Sequence, residues 1–166
     1  MSGLSFEREI AQSSRDIPGL FLWKVPVSRN DRGVPVRGAP VDFVGCLCGR
    51  YIALEAKASS RDSMPLSHLR QSQWDELQRV ASCGGLALVA FRLKISRSPR
   101  VFVVSILDLV RLKEDNMKTV SVRAIEEYAV ELPRAGRQGS LILWNLSALK
   151  SFLKVIPAGV YHSPPL

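Results

Sequence analysis

Cysteine is scarce in this sequence: Cys46, Cys48 and Cys83 are an odd set of three in 166 residues. That count excludes a disulfide framework and points to a reducing setting. No further Cys or His stands near Cys46 and Cys48 at a spacing that would complete a zinc site, so both read as small strand residues. Histidine is scarcer still. His68 and His162 lack carboxylate or cysteine neighbours in metal-ligand spacing and read as incidental or as phosphate contacts. No apolar run approaches the ~20 residues that cross a bilayer, and Glu7 and Glu9 stand where a leader would be basic. The expectation is a cytoplasmic protein with no membrane association. Internal repeats and low-complexity segments are absent too, which excludes a solenoid.

What is present is a globular composition, 46% hydrophobic and 23% charged, sized for one core. We read residues 1–156 as a single domain and 157–166 as a flexible tail. The net charge of +8 points to a polyanionic partner, because clustered Lys and Arg neutralise phosphates and release their counterions.

The pattern along the chain predicts a mixed β-sheet flanked by helices. Residues 3–15 read as a helix with Phe6 and Ile10 on one face, and Pro18-Gly19 breaks it before a strand from Leu20 to Val25. Residues 26–40 hold Gly33, Pro35 and Gly38. With Lys24 before them, Arg29, Arg32 and Arg37 make four cations against Asp31. This reads as an exposed basic loop and the expected DNA-contacting arm, and Arg61 is added to the same set. Strands at 41–47 and 51–58 follow, joined through Cys48-Gly49-Arg50 as a tight hairpin. A helix is predicted from Pro65 to about Ser82, with Leu66, Leu69, Leu77 and Val80 in its apolar stripe. Cys83-Gly84-Gly85 ends it. Strands at 86–93 and 101–106, helices at 107–113 and 121–130, a strand at 141–146 and a helix from Ser147 complete the reading. Trp23, Trp74 and Trp144 are expected in the core or an interface, since no interleaved aromatic and basic pattern surrounds them.

The chemistry gathers in the second hairpin strand. Its period of two puts Ile52, Leu54 and Ala56 on one face and Glu55 and Lys57 on the other. An isolated Glu-x-Lys is usually a solvated strand face. Here, however, Pro40-Val41-Asp42 opens the preceding strand, and a short hairpin sets Asp42 beside Glu55, with twelve residues between them. Two carboxylates converging on one point suit a hard cation such as Mg²⁺, which activates water and neutralises charge on a phosphate. Lys57 then supplies positive charge to orient the water or stabilise the transition state. Gln73 lies within an apolar helix stripe and needs a buried partner, which the catalytic strands would provide.

Asp42 followed by Glu55-Ala56-Lys57 matches the Pro-Asp, Asp/Glu-x-Lys signature of the restriction-endonuclease-like nucleases. Met64-Pro65-Leu66, then Gln73, then Gly84-Gly85 before a hydrophobic strand narrow the likeness. Over about a third of the chain, residues 41–93, the sequence resembles the RecU-type Holliday junction resolvases. Its opening, Gly3-Leu4-Ser5-Phe6-Glu7-Arg8-Glu9-Ile10, resembles the first helix of RecU-like and archaeal-type resolvases. The resemblance implies a restriction-endonuclease-like α/β core. It implies a metal site of Glu7, Asp42, Glu55 and the Ala56 carbonyl, completed as a catalytic centre by Lys57 and Gln73. Mg²⁺ is the implied cofactor, with Mn²⁺ as a substitute and no small-molecule cofactor. Branched four-way DNA is the implied substrate and a homodimer the implied assembly. Met64 departs from the family's usual Phe, Arg70 and Ser72 stand where His residues are common, and the 26–40 arm is shorter than the RecU insertion. A restriction or repair nuclease on duplex DNA, and a basic binding module without chemistry, stay open as alternatives.

Overall fold

The computed structural model describes residues 3–155 except 27, 30, 31, 33, 34, 38, 39 and 97, with the backbone alone at 3, 28, 29, 35–37 and 155. In chain order the elements are α1 (Gly3–Ser13), β1 (Leu20–Lys24), β2 (Ser28–Arg29), β3 (Pro35–Arg37), β4 (Phe43–Leu47), β5 (Arg50–Ala58) and β6 (Ser63–Pro65). They continue through α2 (Gln71–Ser82), β7 (Leu86–Ile95), β8 (Ser98–Ser105), α3 (Ile106–Glu114), β9 (Thr119–Ser121) and α4 (Val122–Ile125). The chain closes on β10 (Val130–Leu132), β11 (Arg134–Gln138), β12 (Leu141–Trp144) and α5 (Phe152–Val155). Among the described residues no helix is long and apolar enough to cross a membrane.

Six strands form one mixed sheet in the order β1-β4-β5-β7-β8-β10. β5 and β7 run parallel, with α2 in the connection between them, and every other neighbouring pair is antiparallel. The alternation along β5 assigns its faces. Ile52, Leu54 and Ala56 join Phe6 and Ile10 of α1, Trp144 of β12 and the C-terminal Leu146, Leu149 and Phe152 in one core. Ala53 points the other way, into a second core built from Leu66, Trp74, Leu77, Val89, Val104, Leu109 and Ile125. Glu55 shares that second face, beneath α2.

The β4–β5 hairpin forms as expected, through a two-residue turn at Cys48 (φ 48°) and Gly49 (φ 84°). Both residues sit in the left-handed region, which matches the right-handed twist of the strands on either side. A Cβ on Gly45 would lie 1.8 Å from the Phe21 carbonyl oxygen, so only glycine lets β1 approach β4 there.

Several boundaries differ from expectation. Pro65 belongs to β6, and Leu66–His68 is a 3-10 turn, so α2 begins at Gln71, with the Gln73 side chain accepting from the Arg70 N–H as part of its cap. The helix expected over 121–130 shrinks to α4 because Val130 and Leu132 pair with Val103 and Val101 at the sheet edge. The last helix starts as a 3-10 turn, Leu146–Ser151, closed by the Asn145 side chain accepting from Ser147. Within the predicted basic loop, β2 and β3 pair antiparallel. The tail 157–166, with His162, lies outside the described residues.

Candidate active site

Asp42 and Glu55 are brought together by the hairpin register. Phe43 opposes Leu54, so one step further Asp42 comes opposite Glu55 on the α2 side of the sheet. β4 ends as a ladder at Phe43, and the Asp42 side chain takes over its role: Asp42 Oδ2 accepts from the Ala56 N–H at 2.8 Å. The Asp42 carbonyl accepts from Val25 at 2.8 Å, which fixes the residue from the β1 side. In an extended strand a residue's N–H and C=O point to the same edge. The Ala56 carbonyl therefore opens onto the gap that Asp42 borders.

Glu55 is 1% exposed. Its Oε1 accepts from Lys57 Nζ at 2.6 Å and from Gln73 Nε2. Gln73 is held in turn by the Arg70 N–H, which donates to its Oε1 at 3.0 Å and so aims the amide NH₂ at Glu55. The buried partner that the helix pattern required for Gln73 is Glu55. The other oxygen, Glu55 Oε2, is buried and has no hydrogen-bond partner. An orphaned carboxylate oxygen of this kind is costly unless something else occupies the gap.

The electrostatics agree. Burial, and then the Asp42 charge, push Glu55 up to about 7 from its ordinary value of 4.5. Burial is also the main cause raising Asp42, and the Glu7 charge adds to it. Both carboxyls are thus disfavoured as anions, chiefly by burial, the condition that a cation relieves.

Glu7 does not join the pair directly. It is mostly buried beside the site and forms an ion pair of 2.8 Å with Lys24, so Lys24 is engaged at the site's rim. Among the described residues no group of three His, Cys, Asp or Glu side chains is placed to hold a metal. The available set is two carboxylates and a backbone carbonyl, all oxygen, which fits a hard cation that keeps part of its water or takes phosphate oxygens.

Arg61 is exposed in the loop after β5, pinned where its carbonyl accepts from the Lys94 N–H at 2.9 Å. Arg32 is exposed. The side chains of Arg29 and Arg37 lie outside the described residues. Trp74 and Trp144 are core residues, whereas Trp23, expected in core or interface, is 60% exposed on β1.

One buried carboxylate to which the sequence alone assigned no role is Glu9. Glu9 is 2% exposed. Its Oε2 meets Arg92 Nη1 at 2.8 Å and the Trp144 indole N–H at 3.1 Å, and its Oε1 accepts from the Ile142 N–H at 3.4 Å. Phe6, Glu9, Ile10 and Ser13 follow the i, i+3, i+4, i+7 spacing of a buried stripe. That spacing was the available signal.

Comparison with known proteins supplies the remaining observations. The family model Recombination protein U (RecU) matches residues 32–143. The structure of Hjc, a Holliday junction resolvase from the archaeal hyperthermophile Archaeoglobus fulgidus, superposes with a TM-score of 0.52 at 19% identity, covering 78% of this chain and 90% of that one. The likeness is one of fold, a mixed sheet flanked by helices. No curated protein matches the chain.

Proposed function

This chain belongs to the Recombination protein U family of Holliday junction resolvases, and from that premise we propose that it is a Mg²⁺-dependent, junction-selective endonuclease with its centre at Asp42, Glu55, the Ala56 carbonyl and Lys57. The observation that carries the reading is the orphaned Glu55 Oε2 beside a second raised carboxyl. Asp42, Glu55 and the Ala56 carbonyl would hold the cation, with Glu7 close enough to add charge. A divalent ion bound there supplies activation of water and neutralisation of phosphate charge.

The chain's own side chains do the rest. The Ala56 N–H fixes Asp42, and Gln73 fixes Glu55 without titrating, so both carboxylates are preorganised. Lys57 is 19% exposed and reaches the Glu55 oxygen from the open side. Its ammonium orients the attacking water and stabilises the negative charge that builds on the phosphoryl oxygens as a P–O bond is broken. Arg29, Arg32, Arg37 and Arg61 contact the DNA backbone, with Lys24 at the rim of the site.

Symmetric incision across a four-way junction needs two such centres related by a two-fold axis, so the working form is a homodimer acting on branched DNA in the cytoplasm. Mn²⁺ substitutes for Mg²⁺. The test is nicking of a synthetic four-way junction and of its component duplexes, with Mg²⁺, Mn²⁺ or EDTA. Paired cuts confined to the junction and dependent on metal are expected. Equal cutting of plain duplex would make the protein a restriction or repair nuclease of the same fold, and binding without cutting in any metal would make it a non-catalytic module.

A further inference from the structure

A cavity of about 640 Å³ opens beside the first turn of α2, within the roughly 300–1,000 Å³ that holds small ligands. Its walls come from two segments distant in sequence: residues 65–69 lead into α2, and residues 116–119 leave α3 for β9. The Leu66 N–H donates to the Lys118 carbonyl at 2.9 Å, and Pro65 pairs with Thr119, so the two walls are tied together. Gln73 donates to the Glu55 carboxylate, whereas Trp74, the next residue on the helix, lines the cavity. The carboxylate centre and the cavity therefore flank one turn of α2.

The chemistry of the cavity divides between floor and rim. Leu66, Leu69 and Trp74 are buried beneath it, while Lys113 and Lys118 stand exposed at its edge. Lys113 Nζ sits 4.6 Å from the centre of the Trp74 ring, an attraction that holds the ammonium at the cavity. No Asp or Glu lines the cavity, and among the described residues neither lysine belongs to an ion pair. An apolar floor below two unpaired cations is the complement of an anion with a flat apolar body. Asn116 adds a polar contact at the rim, held at φ 66° by the last turn of α3, where the Met117 N–H donates to the Leu112 carbonyl at 2.9 Å. Its amide offers one donor and one acceptor side by side, the pattern that matches an adenine edge.

We propose that this cavity binds a single nucleotide, its base on the apolar floor and its phosphate at Lys113 and Lys118. Inorganic phosphate would leave that floor uncovered, and an uncharged ring would leave the lysines unanswered. Two sources supply the same chemistry: a nucleotide displaced from the DNA strand at the neighbouring centre, or a free nucleotide. Displacement from a duplex costs least where pairing is already disturbed. The first source rests on the nuclease reading above, and the second does not. Either occupant would touch the turn that holds Gln73 on Glu55.

Titration of the full chain with deoxyadenosine monophosphate in EDTA, followed by ligand-detected NMR, tests this. Saturable binding is expected, with deoxyadenosine and inorganic phosphate each at least about 10-fold weaker because each engages only half of the site. The double variant Lys113→Gln, Lys118→Gln should weaken the mononucleotide at least about 10-fold with an unchanged circular dichroism spectrum. Should that variant misfold, Lys118→Glu alone, at an exposed position, is expected to do the same. A four-way junction added in EDTA then separates the sources. Displacement of the mononucleotide from the wild type assigns the cavity to a nucleotide of the DNA, and simultaneous binding assigns it to a free one. No saturable binding, phosphate held as tightly as the mononucleotide, or binding indifferent to both lysine variants would overturn the proposal. Because no cleavage is read, an inactive protein can still pass and an active nuclease can still fail.

Discussion

Glu9 and Glu55 are buried to the same degree, 2% and 1% exposed, on opposite faces of one sheet, yet their surroundings differ in kind. Glu9 has both oxygens occupied, with the Arg92 guanidinium, an indole N–H and a backbone N–H around it. Glu55 has one oxygen crowded by Lys57 and Gln73 and the other left bare, with a second carboxyl facing it. A satisfied buried charge locks elements together, here α1 to β7 and β12. An unsatisfied one holds free energy in reserve for a ligand, and that reserve marks a functional group.

The contrast is broken most severely at the open pair. Replacing Asp42 or Glu55 with Ala should lower single-turnover junction cleavage by about 10³-fold or more while binding is kept or tightened, because a metal ligand is lost together with repulsion toward phosphate. Cleavage within a few-fold of wild type would remove that residue from the centre. On the other face, Glu9→Ala should cost about 3–5 kcal/mol in urea unfolding, because it leaves the Arg92 charge buried without its carboxylate. Cleavage per folded molecule should stay within a few-fold of wild type. A stable but inactive Glu9→Ala would mean that the two faces are not divided as described.

Lys57→Met should slow the chemical step by about 10²- to 10³-fold with little change in DNA affinity, and Lys57→Arg should restore part of it at most. Wild-type single-turnover rates in Lys57→Met would remove the lysine from the mechanism. The mildest test exchanges the charge of Glu55 for a neutral amide. Glu55 is raised to about 7 in the folded protein from 4.5, so the folded state holds the proton more tightly and wild-type stability falls as pH rises between those values. In EDTA at pH 8, Glu55→Gln should therefore be stabilised by up to about 3 kcal/mol, with the gain vanishing near pH 4. Glu9→Gln should show no such gain at pH 8, and equal gains from both would erase the distinction.

The sequence disclosed the meeting of Asp42, Glu55, Lys57 and Gln73 more fully than the short elements around it. Asp42, Glu55, Lys57 and Gln73 were legible because strand alternation, a short hairpin and a polar residue in an apolar stripe are local signals. Glu9 was not, since its meaning depends on Arg92 and Trp144, which lie far along the chain. The short strands β6, β9 and β11 were missed for a similar reason: each is defined by its pairing partner more than by its own residues. The 121–130 segment carries a helical pattern, but Val130 and Leu132 gain more by completing the edge of the sheet.

The turn at Cys48 and Gly49 acts as a gauge on how this gene can change length. Residues facing one another across an antiparallel hairpin share a face, and a slip of one residue turns every side chain over. Lengthening both strands together keeps an acid before the turn opposed to an acid after it, and changes their separation in even steps. A lone insertion would send one carboxylate into the core beneath α1. Among relatives that keep this two-residue turn, the number of residues between the two acids should vary, if at all, by even numbers.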